Sequence, residues 1–181
     1  MRRRWLQGVL AAIALVAAGL AAAAPATEYQ VKAVLLFNFS QFVSWPPAAF
    51  TSDEDPLVIA VLGHDPFGAD LDAVVSGERV GNRPLVVRRF RDVSEVKQCQ
   101  ILFIDRSEAA KLSAIAAALR GRSILTVSDA DDAANRGVVI QFVTEGNHIR
   151  LRINVAVARA DGLTISSKLL RPAQLIDAGG T

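Results

Sequence analysis

The sequence predicts an α/β fold: a single three-layer-like domain in which a mostly parallel sheet of βαβ units ends in an antiparallel C-terminal hairpin and carries helices on both faces. Three observations predict it. The runs Leu57–Leu62 and Ile101–Ile104 are unbroken apolar stretches of strand length, the pattern of strands covered on both sides. Helical stretches with capping residues separate such runs at the spacing of right-handed crossovers. Late in the chain, residues 138–144 and 148–154 are strand-like and flank Glu145-Gly146-Asn147, where Gly and Asn tolerate positive φ, so the pair reads as a hairpin.

Taken in order, the chain opens with Met1 and three arginines, an apolar run to about Leu20, and the small residues 21–26. A basic start, a short apolar core and an A-x-A site describe a secretory signal peptide. Ala24-Pro25-Ala26 places cleavage after Ala26, with a cut after Ala23 as the alternative. The competing reading, an uncleaved anchor, needs about 20 apolar residues, and this run is shorter. Cleavage takes 26 of the 181 residues and leaves 27–181 as one domain, long enough to bury a core and not itself membrane-spanning; its last few residues are expected to be disordered. The three arginines leave too, so 20 basic residues become 17 against 18 acidic ones, and a net charge of +2 becomes −1. A nearly neutral surface gives no electrostatic reason to expect nucleic acid as a partner.

Residues 28–45 read as a helix. Val31, Leu35, Asn38, Phe42 and Trp45 fall on one 3.6-residue stripe that Val34, Phe37 and Phe39 widen, and Pro46 and Pro47 end the helix at Trp45. Such a helix packs on the sheet. Alternatively, part of its surface, at Phe39, Phe42 and Trp45, contacts a partner or a second copy in a homodimer.

After the strand at 57–62, the turn 63–68 leads into a helix over 67–76, with Asp65 as N-cap and Pro66 in the first position. A loop or small hairpin at 77–84 precedes a strand at 85–90, and Asp92 caps a short helix to Lys97. Beyond the strand at 101–104, a helix opens at Ser107-Glu108 and ends at Arg120-Gly121, with Leu112, Ile115, Ala116 and Leu119 on one face. Residues 123–127 make the fourth strand. After the hairpin, a short helix spans 155–161, and a strand-like piece and a helical piece close the chain to 176.

No catalytic constellation stands out, and the chain reads as non-enzymatic and without cofactor. His64 and His148 lie on separate elements without ligand spacing, so no metal is predicted. Asp129-Ala130-Asp131-Asp132 lacks the glycine and glutamate that complete a calcium loop. There is no Gly-x-Ser-x-Gly turn and no thiol beside a base to support nucleophilic hydrolysis. The turn at 63–68 sends a strand toward a helix start, where amides face anions, but it lacks the Walker and dinucleotide patterns.

Two polar sets remain. In an open parallel sheet, ligands gather at the carboxyl ends of the strands, which puts His64, Asp65, Asp105, Arg106 and Asp129 around a candidate crevice; the alternative is that they cap helices. Arg150, Arg152, Asn154, Ser166, Ser167, Lys168 and Arg171 form a basic docking patch for an acidic partner if the hairpin and the chain end are neighbours, and a solvated strand face otherwise. Cys99, the sole cysteine, precedes an apolar strand and reads as a buried free thiol, so no disulfide holds the fold.

Residues 28–47, the run 59–68, Cys99-Gln-Ile-Leu-Phe-Ile-Asp105, Arg152-Ile-Asn154 and Gly162-Leu-Thr-Ile-Ser-Ser-Lys-Leu-Leu170 together resemble the YfiR family, in its order and spacing. The resemblance implies a periplasmic regulatory protein. The family's type member represses a membrane-bound diguanylate cyclase by binding that enzyme's periplasmic sensor domain. By resemblance this chain binds an inner-membrane diguanylate cyclase or another membrane sensor and restrains cyclic-di-GMP, and with it biofilm formation, only indirectly. The competing reading is a periplasmic small-ligand-binding accessory protein of a sensor kinase or an outer-membrane transport system. One departure is visible: relatives often carry a second cysteine near the position of Ala60, as partner to the one matching Cys99, so the resemblance does not carry over the redox control such a disulfide allows.

Overall fold

Leu57–Leu62 forms a strand, β2, in which every residue is buried, and its alternate side chains feed two separate cores. The computed structural model describes residues 26–146 and 148–176. The predicted signal peptide, Ala26 apart, and the last five residues of the chain lie outside the described residues.

The helix α1, Glu28–Phe42, opens the described chain behind a capping box in which Thr27 and Gln30 satisfy each other's backbone amides. Strand β1 is Val43–Ser44, followed after a 3₁₀ turn by β2. Helix α2 is Ala69–Val75, β3 Arg79–Val80, β4 Arg83–Phe90 and β5 Ile101–Ile104. A 3₁₀ segment, Arg106–Lys111, runs into α3, Leu112–Leu119, and then β6, Leu125–Ser128. The remainder comprises β7 Ile140–Glu145, β8 His148–Asn154, α4 Val155–Ala160, β9 Thr164–Ile165, α5 Ser167–Leu170 and β10 Gln174–Ile176.

Among the described residues the main sheet has eight strands in the order β10-β8-β7-β6-β5-β2-β4-β3. Its pairs are parallel except β7–β8 and β3–β4, so a parallel centre is flanked by antiparallel hairpins. Period-two alternation sorts the centre into layers. Leu57, Ile59, Val61, Ile101, Phe103, Leu125 and Val127 face a core shared with α1, α2, α4 and α5. Val58, Ala60, Leu62, Leu102 and Ile104 face a second core with Leu112, Ile115 and Leu119 of α3. The fold is therefore the predicted three-layer α/β arrangement.

Several boundaries differ from the sequence reading. The first helix ends at Phe42, not Trp45, because Val43 and Ser44 pair with Ile165 and Thr164 in a small separate sheet. Its buried side is also a different one: Lys32, Ala33, Leu36, Phe39 and Ser40 point inward, while Val31 and Val34 are 39% and 45% exposed. Helix α2 starts at Ala69, later than predicted. Asp65 accepts from the amides of Phe67 and Gly68, capping a turn before the helix. The helix expected from Ser107 divides into the 3₁₀ segment and α3, and its cap is Asp105, which accepts from Ser107 N at 2.8 Å.

Candidate functional site

Asp129 follows β6, and its odd position continues the row of Leu125 and Val127, so it faces the layer that contains α1. Three groups converge on its Oδ2. Lys32 Nζ donates at 2.7 Å, Tyr29 Oη at 2.9 Å and Arg106 Nη2 at 3.2 Å. Lys32 also pairs with Glu28, one turn earlier, at 2.6 Å, and Glu28 accepts from Thr144 Oγ1 of β7 at 2.9 Å. The lysine ammonium lies 4.4 Å from the Tyr29 ring centroid, a cation–π contact in a desolvated place. The network thus joins one face of α1 to the ends of β5, β6 and β7.

Its electrostatics are those of a fixed clamp. Burial alone would raise the Asp129 carboxyl, but the Lys32 ammonium, the Tyr29 hydroxyl and Arg106 together hold it below its ordinary value. Burial, and then the bond to the Asp129 carboxylate, push the Tyr29 hydroxyl up to about 12. Glu28 is lowered, chiefly by its hydrogen bond to Lys32. At neutral pH, Asp129 and Glu28 are ionised and Tyr29 is protonated. None of these three is poised to exchange a proton, so the geometry fastens a helix rather than serving general acid–base chemistry.

The strand-end crevice is only partly assembled. Asp129 and Arg106 come together, but Asp65 turns away to Arg89, whose Nε lies at 2.6 Å and which also grips Asp72. Asp105 is buried as a helix cap, and His64 is exposed, with its backbone amide donating to Ser107 Oγ at 3.2 Å. The glycine turn is filled by the chain itself. Gly63 has φ +91°, its amide donates to Phe90 O, and a Cβ there would meet Ser107 Oγ at 2.9 Å and Glu108 Cγ at 3.0 Å.

The residues expected to meet a partner divide as well. Phe39 has no exposed surface and stacks on Phe142 with ring centroids 5.9 Å apart, so it is interior. Asn154 is buried, accepts from Val157 N as the cap of α4, and donates to Ala134 O. Trp45 is half-buried and tied to Gln100 O through Nε1 at 3.0 Å; Phe42 is half-buried at the end of α1. Arg150 lies 3.8 Å from Glu145, and Arg152 Nε donates to Gln174 Oε1 at 2.9 Å across β8–β10. Ser166 caps α5, accepting from the amide of Lys168, whose side chain is exposed. Because Ile149, Leu151 and Ile153 pack in the same core as Leu169, Arg150 and Arg152 project from the face of β8 opposite α5, so no single basic patch forms with Lys168. Cys99 is buried and free.

Sequence reasoning missed Lys32, Tyr29 and Glu28. The available signal was a lysine one turn after a glutamate and one turn before Leu36, an ion placed among residues that need cover.

Among the described residues no group of His, Cys, Asp or Glu could hold a metal, and no helix is long and apolar enough to cross a membrane. The model of a family described as YfiR/HmsC-like matches residues 29–174. No curated protein matches the chain.

Proposed function

The chain belongs to the YfiR/HmsC-like family, and from that premise we propose that it is a periplasmic regulatory protein that binds the periplasmic sensor domain of an inner-membrane diguanylate cyclase and holds the enzyme inactive. The observation that carries this reading is the family match over residues 29–174, nearly the whole of the exported domain expected from the sequence. The export signal read at residues 1–26 supplies the compartment. A buried network that fastens α1 to the sheet suits a protein that acts by its surface.

Within this reading the contact is the outer side of α1. Val31 and Val34 remain exposed there, Phe42 is half-buried at the helix end, and an apolar centre with a polar rim is the make-up of a protein interface. The clamp beneath it keeps that surface in one orientation. Arg150 and Arg152, on the far face of β8, are the second surface.

Deleting the gene is expected to raise cellular cyclic-di-GMP, and affinity purification from envelope extracts is expected to recover a cyclase with a periplasmic domain. Unchanged cyclic-di-GMP with no cyclase recovered would overturn the proposal. Val34→Glu is expected to abolish co-purification while leaving the fold intact, whereas Arg150→Glu tests the second surface.

A further inference from the structure

At the amino ends of the central strands, the opposite end of the sheet from Asp129, two cavities of about 260 and 190 Å³ adjoin and share Thr51 and Gln98 in their walls. The larger is lined by Lys97, Arg122 and Cys99, and the smaller reaches Arg88 on β4. Arg122 is held in place: its Nη2 donates to the carbonyls of Val96 and Lys97, at 2.6 Å each. That leaves Nε and Nη1 of the same planar group without an acceptor among the described residues. Lys97, Arg88 and Arg122 make no ion pair there either.

Asp55 is the one carboxylate among the described residues of the two walls, and its oxygens are already hydrogen-bonded. It accepts from Ser52 Oγ at 2.9 Å, Thr51 N at 2.6 Å and Ser52 N at 3.0 Å, which holds its pKa below the ordinary value and engages its lone pairs within its own loop, so an anion is drawn to the larger cavity, which Asp55 does not line. Among the described residues the larger cavity has no acid in its wall. Three cations around a recess, one of them pre-oriented by main-chain carbonyls, are the arrangement that recognises an anion. Each recess alone falls below the roughly 300–1,000 Å³ of drug-sized pockets, and the two joined reach only the lower part of that range, which suits a small molecule.

We propose that this groove binds a small organic anion, a carboxylate or a phosphate monoester, with Arg122 and Lys97 on the charge, Arg88 at the far side, and Thr51 Oγ1 and the Gln98 amide on the neutral part. The site stands apart from the α1 surface and does not depend on the docking reading.

Calorimetry on the purified protein at fixed ionic strength, with glycerol 3-phosphate, succinate and inorganic phosphate as probes and glycerol as the neutral control, tests it. One anion is expected to bind with a sub-millimolar Kd while glycerol does not, and phosphate-bearing against carboxylate probes decides the class. Lys97→Gln and Arg88→Gln, which sever no hydrogen bond of the fold, are each expected to weaken binding about tenfold, the loss of one charge-assisted contact. Arg122→Gln is expected to weaken it further, with circular dichroism checking that the fold survives the lost carbonyl contacts. No binding by any anion, or equal binding in the Lys97 and Arg88 variants, overturns the proposal.

Discussion

Lys32 Nζ lies 2.7 Å from Asp129 Oδ2 across 97 residues of sequence, with the lysine side chain fully buried and the carboxylate 2% exposed. Desolvating two charges is costly, and their pairing and the added bonds to Tyr29, Arg106 and Glu28 offset it. Removing one partner strands the other. Lys32→Met or Asp129→Leu alone is expected to cost about 3–5 kcal/mol. The double variant Lys32→Met/Asp129→Leu is expected to recover much of that, since a well-packed apolar pair often replaces a buried ion pair without loss. Urea denaturation of the four proteins measures the coupling; additive losses would mean that the two residues act independently.

Acid should weaken the same clamp. Asp129 and Glu28 are both held below their ordinary values of 3.8 and 4.5. A depressed carboxylate contributes stability that is fully present above its unfolded pKa and is lost as pH falls through the folded one. The thermal midpoint is therefore expected to be flat with respect to these groups from pH 7 to about 5 and to drop below about 4. In Asp129→Asn the drop should be shallower. An acid limb identical in wild type and variant would assign it to other carboxylates.

The fold was legible where burial demands one residue type, and illegible where distant residues decide. The central strands at 57–62 and 101–104 contain no polar residue, so nothing competes with their assignment. The inward face of α1 contains Lys32 and Ser40 while Val31 and Val34 face out, so counting apolar residues selects the wrong stripe. The two prolines mark the last residue at which that helix can stop; the actual stop comes earlier because Val43 and Ser44 find partners at 165 and 164, a pairing with no local trace. The candidate site behaves likewise. The strand-end rule picks out Asp129 and Arg106, but Lys32 and Tyr29 reach them from the chain's first helix, which composition alone does not place.

Cys99 is expected to be chemically silent in the folded protein. Burial pushes its thiol up to about 12, even though Arg122 and Arg88 pull the other way, so the reactive thiolate is scarce at pH 8. Labelling with a disulfide reagent should be negligible in buffer and stoichiometric in denaturant. Rapid labelling of the native protein would show that the loop at 97–100 opens.

Gln100 offers the sharpest stability test, because a single buried side chain joins three segments. Its Oε1 accepts from Val58 N at 2.9 Å and its Nε2 donates to Ala49 O at 2.8 Å, while its own carbonyl accepts from Leu125 N and Trp45 Nε1. Gln100→Leu leaves the Val58 amide unsatisfied at the start of the central strand, and a buried orphan donor costs about 1–3 kcal/mol. Trp45→Phe removes a single bond to the main chain and is expected to cost about 1 kcal/mol. Gln100→Glu keeps the acceptor for Val58 but loses the donor to Ala49 and buries a charge, so its stability should be poorest at neutral pH and improve as the new carboxyl is protonated. The sign follows from a folded pKa raised by burial, whose contribution is present below the unfolded pKa and lost as pH rises. Denaturation of Gln100→Glu at pH 5 and pH 8 measures it, and equal stability at both would mean that the side chain has swung out to water.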